Sequence, residues 1–175
     1  MNTFKSGSAS KKKQVAQKLE WAGIADTRLY DLIEQEVLQN HQQADTRETV
    51  DEMAWFTKAL AFSGNEKYRA TIQQVADSGG HKKLRKYGKR SLSILDDYTR
   101  WQPVLSDRSR YIKGKSDEVN RNIAMLASDE LGLQVLAAKR VYNKGLLDQD
   151  LLDTLKTATE KRLAEGGSSK EYINT

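Results

Sequence analysis

Apolar residues recur along the chain at steps of three and four, and no long stretch alternates with period two. That periodicity predicts helices over about 11–22, 26–40, 50–62, 65–77, 81–100, 116–126, 130–144 and 148–164. Start and stop residues agree with it. "TVDE" (Thr49 to Glu52) and "SGNE" (Ser63 to Glu66) have capping-box spacing, and Asp26 and Asp148 stand where a carboxylate accepts free backbone N–H groups. Gly23, Gly64 and Gly145 each follow a helix at the position that favours a left-handed residue. Three helical hairpins are thereby predicted, and the polar ends, about 1–10 and 165–175, are expected to be flexible tails.

The hairpins repeat one another. "GIADTRLYDLI" (Gly23 to Ile33) and "GLLDQDLLDTL" (Gly145 to Leu155) share Gly, Asp, Leu and Asp at matched positions 122 residues apart. Leu19, Leu60 and Val141 lie four residues before the three turning glycines, and Val15, Phe56 and Ala137 lie eight before, marking one face of a first helix in each hairpin. A helix around Leu92 supplies a fourth member, so the period is irregular and near forty residues, as in a two-helix solenoid.

"LRKYGKRSL" (Leu84 to Leu92), "LQVLAAKRV" (Leu133 to Val141) and "AWFTKALAFSGNEKYRATIQQVA" (Ala54 to Ala76) resemble HEAT repeats. The resemblance covers most of 14–164. It implies an all-α, right-handed α-solenoid of about four HEAT-like hairpins, in one domain over 11–164, with small residues such as Gly88, Ala137 and Ala138 where helices approach closely. The third unit departs from the pattern. After Trp101 comes "QPVLSDRSRYIKGKS", with Pro103, Gly114 and four cations, where a regular second helix belongs, so this segment is expected to be irregular or a long loop.

Composition narrows the chemistry. The chain has 175 residues, no Cys, one Pro and two His, which removes disulfides, thiolate metal sites and cysteine nucleophiles. No apolar run reaches the ~20 residues of a membrane span and the N-terminal stretch lacks the apolar middle of a signal peptide, so a cytoplasmic protein is expected, with a mature exported form whose signal was removed as the alternative. His41 with Asp45 makes a poor metal pair, and a solvated helix end is the expected role. "DQDLLD" (Asp148 to Asp153) lacks the Gly and Glu of a calcium loop and is read as a helix start. "SGGH" (Ser78 to His81) lacks the ending of a phosphate loop and is read as a turn. No cofactor, metal or catalytic set is expected.

Charge changes the picture most. The chain carries a net +5, yet residues 81–115 hold eleven Lys or Arg against Asp96, Asp97 and Asp107. "HKKLRKYGKR" (His81 to Arg90) contributes six of them. At 100° per residue, Leu84, Tyr87, Gly88, Ser91, Leu92, Leu95 and Tyr98 share one arc, and Lys82, Lys83, Lys86, Lys89 and Arg90 lie opposite. The candidate binding residues are Lys82, Lys86, Lys89, Arg90, Trp101, Arg108, Arg110, Tyr111, Lys113 and Lys115, whose cations suit phosphates and whose rings suit base stacking if exposed. Trp101 also continues the apolar arc, which favours burial.

The functional expectation is a non-catalytic scaffold that binds a protein or peptide on the concave face formed by second helices. The alternative is a nucleic-acid or phosphate-backbone binder acting through 81–115. HEAT-like folds also include bacterial alkylpurine DNA glycosylases, but this chain is short for that group and shows no matching catalytic set.

Overall fold

The structure, a computed structural model, describes residues 2–166. Helices run over α1 (Asn2–Ser6), α2 (Ala9–Ala22), α3 (Thr27–Asn40), α4 (Arg47–Phe62), α5 (Arg69–Ser78), α6 (Lys82–Ser106), α7 (Asp117–Leu126), α8 (Leu131–Lys144) and α9 (Gln149–Ala164), with a 3₁₀ turn at Glu66–Tyr68. No strand occurs among the described residues. The chain divides into two compact units, Met1–Ser106 and Asp107–Thr175, where the sequence suggests a single repeat domain.

The predicted caps form where their chemistry permits. Asp26 accepts the Arg28 N–H at 3.0 Å and Asp148 the Leu151 N–H at 3.2 Å. Gly23, Gly64 and Gly145 adopt φ of 57°, 60° and 60°. One cap differs. α4 begins three residues earlier than the sequence suggests, because Thr46 and Thr49 form a reciprocal capping box in place of Thr49 and Glu52. The N-terminal stretch read as a tail contains α1, whose Phe4 is buried with its ring 5.4 Å from that of Phe56. The other predicted tail lies, from residue 167 onward, outside the described residues.

In the first unit, α4 is central. It packs on α2 and α3 and most heavily on α6, which in turn takes α5. The buried stripe of α4 (Met53, Phe56, Leu60), Ile33 and Val37 of α3, Ile72 and Val75 of α5, and Leu84 and Leu95 of α6 supply the core. Each such side chain contributes roughly 1.5–3 kcal/mol by leaving water. Polar links fix the arrangement. The Tyr98 hydroxyl donates to the Glu20 carbonyl at 2.8 Å, tying α6 to α2, and Tyr68 donates to Asp31 at 2.8 Å, tying the 3₁₀ turn to α3.

The turn after α4 is pressed onto α6. Gln102 Nε2 donates to the Phe62 carbonyl at 2.9 Å, and Thr99 Oγ1 donates to that of Gly64 at 3.1 Å. The predicted turn at Ser78 to His81 is present, held by the Gly80 N–H donating to the His41 carbonyl at 2.8 Å. His41 is not a solvated helix end. It is 1% exposed, and its Nδ1 donates to the Val37 carbonyl at 2.9 Å, because packing between α3 and the Gly79–Gly80 turn encloses it.

α6 is the largest departure from expectation. It continues past Trp101 and through Pro103 to Ser106, where an irregular segment was predicted to start. Pro103 lies in the last turn, so it removes one hydrogen bond near an end that frays in any case. Buried Trp101 and Leu105 prolong the apolar stripe across it.

In the second unit, α7 packs against both α8 and α9. The start of α8 meets the end of α9: Arg162 Nε donates to Gln134 at 2.9 Å, and Lys161 pairs with Asp129 at 2.8 Å. Leu133, near the start of α8, and Leu151, in the first turn of α9, are fully buried in this unit.

Candidate functional site

The ten candidate residues divide between the two units. On α6, Leu84, Gly88, Ser91, Leu95 and Tyr98 are buried, with Tyr87 and Leu92 half-buried, so the apolar arc packs as the sequence predicts. Lys82, Lys83, Lys86, Lys89 and Arg90 are all exposed. The sixth cation of the stretch, Arg85, bends back and donates to the Gly79 carbonyl at 2.7 Å. Lys83 turns to one flank, 6.0 Å from the Tyr87 ring, and lines a cleft of about 660 Å³ with Lys13, Arg47, Glu48, Asp51 and Glu52.

That leaves Lys82, Lys86, Lys89 and Arg90 as a row on the outward side of α6. Among the described residues no carboxylate pairs with any of the four. About half of the other described cations pair with carboxylates, among them Lys12 with Glu36, Lys13 with Asp51, Lys67 with Asp31, Arg69 with Glu66 and Asp96, and Arg100 with Asp97. The acids further along α6, Asp96 and Asp97, are thus already neutralised by Arg69 and Arg100.

Trp101 does not offer a stacking surface. It is 7% exposed, its ring 5.3 Å from that of Tyr98, which lies 5.0 Å from Phe62. Trp101 is core, as the arc suggests, and leaves the binding set.

The remaining candidates sit in the second unit. Lys115 is only 17% exposed and is held by Asp148 at 2.6 Å and Asp150 at 2.8 Å. The Asp148 hydrogen bond, then that of Asp150, holds its proton more firmly than a free lysine does, and Asp148 is lowered in turn mainly by Lys115. Its role is to fasten the loop to the start of α9. Arg108 reaches Asp117 at 3.6 Å. Tyr111 is half-buried with its hydroxyl enclosed, which leaves exposed Arg110 and Lys113 as the uncommitted cations of this loop.

The loop itself is built around a residue the sequence reading overlooked. Buried Asn120 accepts the Ile112 N–H at 2.7 Å and donates to the carbonyls of Ile112 at 3.1 Å and Lys115 at 3.4 Å. No periodicity announces such a side chain, since a polar residue in a helix reads as solvated until the loop packs over it. Replacing it with Leu leaves the Ile112 N–H without its acceptor and is expected to cost about 1–3 kcal/mol. Thermal melting measures the loss, and hydrogen exchange places it at residues 112–115.

A second cleft of the first unit also gathers carboxylates. Glu36 and Glu52 line a cleft of about 340 Å³ with Lys12, Asn40 and Thr49. The Glu52 carboxyl is raised above the usual range, first by burial and then by the charge of Glu36, against the opposing pull of Lys12 and Lys13. A carboxyl that binds its proton more tightly when folded destabilises the fold once ionised, and the penalty fades as pH falls through the raised value. Glu52→Gln is therefore expected to raise the melting temperature at pH 7, with the gain shrinking toward pH 4 in a pH series of melts.

Among the described residues, no group of three or more His, Asp or Glu is placed to hold a metal ion, and no helix is long and apolar enough to cross a membrane. Comparison with protein-family models, curated proteins and solved structures returns no match.

Proposed function

We propose that the chain is a non-catalytic interaction module that engages an anionic partner through the row Lys82, Lys86, Lys89 and Arg90 on α6. One observation carries this reading: the row is unpaired and works against the helix that bears it. α6 has no acid in its first turn, where the positive end of the helix dipole favours carboxylates, and Lys82 and Lys83 stand there instead. Lys82 with Lys86, and Lys86 with Arg90, are like charges four residues apart, each pair costing roughly 0.2–0.5 kcal/mol. Local folding gives no reason for this arrangement, and an external anion does.

The packing of α2 on α4 and of α4 on α6 supports a HEAT-like reading of the first unit, in which first helices stack in series. The row then lies on a first helix, not on the second-helix face that the sequence points to.

The test compares elution from an immobilised polyanion, heparin, for two variants of equal charge. Lys82, Lys86 and Lys89 all changed to Glu should elute at much lower salt than the parent. The same change at Lys11, Lys18 and Lys144, exposed lysines elsewhere, should shift elution far less. Equal shifts would reduce the row to its share of net charge and defeat the proposal.

A second reading, a protein or peptide partner, has its own support in the second unit. Tyr142 and Leu147 flank the Gly145 turn and are each 86% exposed, with Leu146 between them half-buried. Large apolar side chains presented together suit a partner surface.

A further inference from the structure

We infer that the anionic partner is the phosphate backbone of a nucleic acid, bound without regard to base sequence; this rests on the reading of the α6 row given above. An acidic protein is the competing class, and the composition of the face separates the two. Protein interfaces depend on a few aromatic or apolar anchors at a desolvated centre, and lysine is depleted from them. Among the described residues the exposed large apolar side chains are Leu38, Ile112, Tyr142, Leu147 and Leu163, and none lies on α6. What α6 presents is lysine in three of four places, with an arginine at the fourth. Such a face has little to gain from a protein surface and much to gain from displacing counterions condensed on a polyphosphate.

The spacing suits the same partner. From residue 82 to residue 90 the helix rises about 12 Å, so four cations stand at roughly one per 3–4 Å of axis. One strand of a duplex carries one phosphate per ~3.4 Å. The row and a strand therefore carry charge at similar density along their axes, and flexible lysine stems let the row reach phosphates that wind around the duplex. The row is poor in base readout, since Arg90 is its one planar fork for a guanine edge. It contains no Asn or Gln to bond adenine and its lysines act as point charges, while of the two rings the sequence offered for stacking, Trp101 is buried and Tyr111 is half-buried in the second unit. Contacts of this kind position a protein on a duplex without specifying sequence.

The experiment uses the full chain and a fluorescein-labelled 20-base-pair duplex in anisotropy titrations between 50 and 200 mM NaCl, with poly-L-glutamate as competitor. Four phosphates neutralised give a slope of log K against log salt near −3.6, or about −0.9 per contact. Lys82→Glu, Lys86→Glu, Lys89→Glu and Arg90→Glu together should weaken binding at least thirty-fold at 50 mM salt. Their melting temperature should be no lower than the parent's, since glutamates suit the start of α6. The pair Lys11→Glu and Lys18→Glu should keep binding within about three-fold. A quadruple variant that is folded and binds the duplex like the parent overturns the inference. Displacement of the duplex by poly-L-glutamate at equal charge concentration also overturns it, while leaving an anionic partner in place. No binding to the duplex at 50 mM salt overturns the inference, and if poly-L-glutamate and heparin are also not bound, the underlying reading falls with it.

Discussion

Gly88→Ala is expected to destabilise the first unit by about 2–3 kcal/mol, although alanine is the better helix former. In an open helix the change would stabilise by roughly 0.5–1 kcal/mol. Here a Cβ at residue 88 would stand 2.6 Å from the Ala76 nitrogen and 2.8 Å from its Cα, with the Val75 carbonyl carbon at 3.0 Å. These are backbone atoms of α5, which cannot rotate away as a side-chain tip does, so the two helices must separate. Separation opens the seam where Leu84, Val75 and Ile72 are fully buried. Denaturant unfolding followed by circular dichroism reads the sign directly. A gain in stability would mean that α5 and α6 do not lie as close as described.

Trp101→Ala is expected to cost about 3–5 kcal/mol, the usual loss when a large aromatic leaves a core. The ring belongs to a chain of tilted aromatic contacts through Tyr98 to Phe62. Tyr98 also makes the hydroxyl bond to Glu20, so the change should loosen α6 against both α4 and α2. Trp101→Phe, which keeps most of the apolar bulk, should recover much of the loss. If Trp101 were instead a binding residue, alanine would leave the melting temperature near the parent's and weaken partner binding alone. Melting both variants and titrating the more stable one separates these outcomes.

Helix positions were largely legible in the sequence because they rest on local rules. The apolar period placed the helices to within a few residues, and the residues that reverse the chain, Gly23, Gly64 and Gly145, have few alternatives to a left-handed conformation. Gly88 was legible for a related reason: a glycine on the apolar arc of a helix signals a close neighbour. What escaped was tertiary in origin. The extension of α6 past Pro103 depends on burial of Trp101 and Leu105, which outweighs one missing hydrogen bond. The division of the chain after Ser106 depends on contacts that no period records.

The candidate site shows the same boundary. Helical geometry alone puts Lys82, Lys86, Lys89 and Arg90 on the wet side of α6, and the structure agrees. Sequence does not say which cations already have partners. Lys115 looked as available as Lys86 until Asp148 and Asp150, more than thirty residues away, closed on it. Arg108 and Arg100 were likewise indistinguishable from free cations before Asp117 and Asp97 were placed beside them. The basic zone of eleven cations thus shrinks to a row of four on one helix, with Arg110 and Lys113 left in the second unit.

Adding an unlabelled duplex to the ¹⁵N-labelled chain and following amide shifts tests the central claim most directly, because it locates the contact without altering any residue. The account predicts that the largest shifts fall on residues 82–93 and return to their free positions as salt is raised toward 200 mM. Shifts centred on the α8–α9 turn around Tyr142 and Leu147, or none along α6 at 50 mM salt, would contradict it.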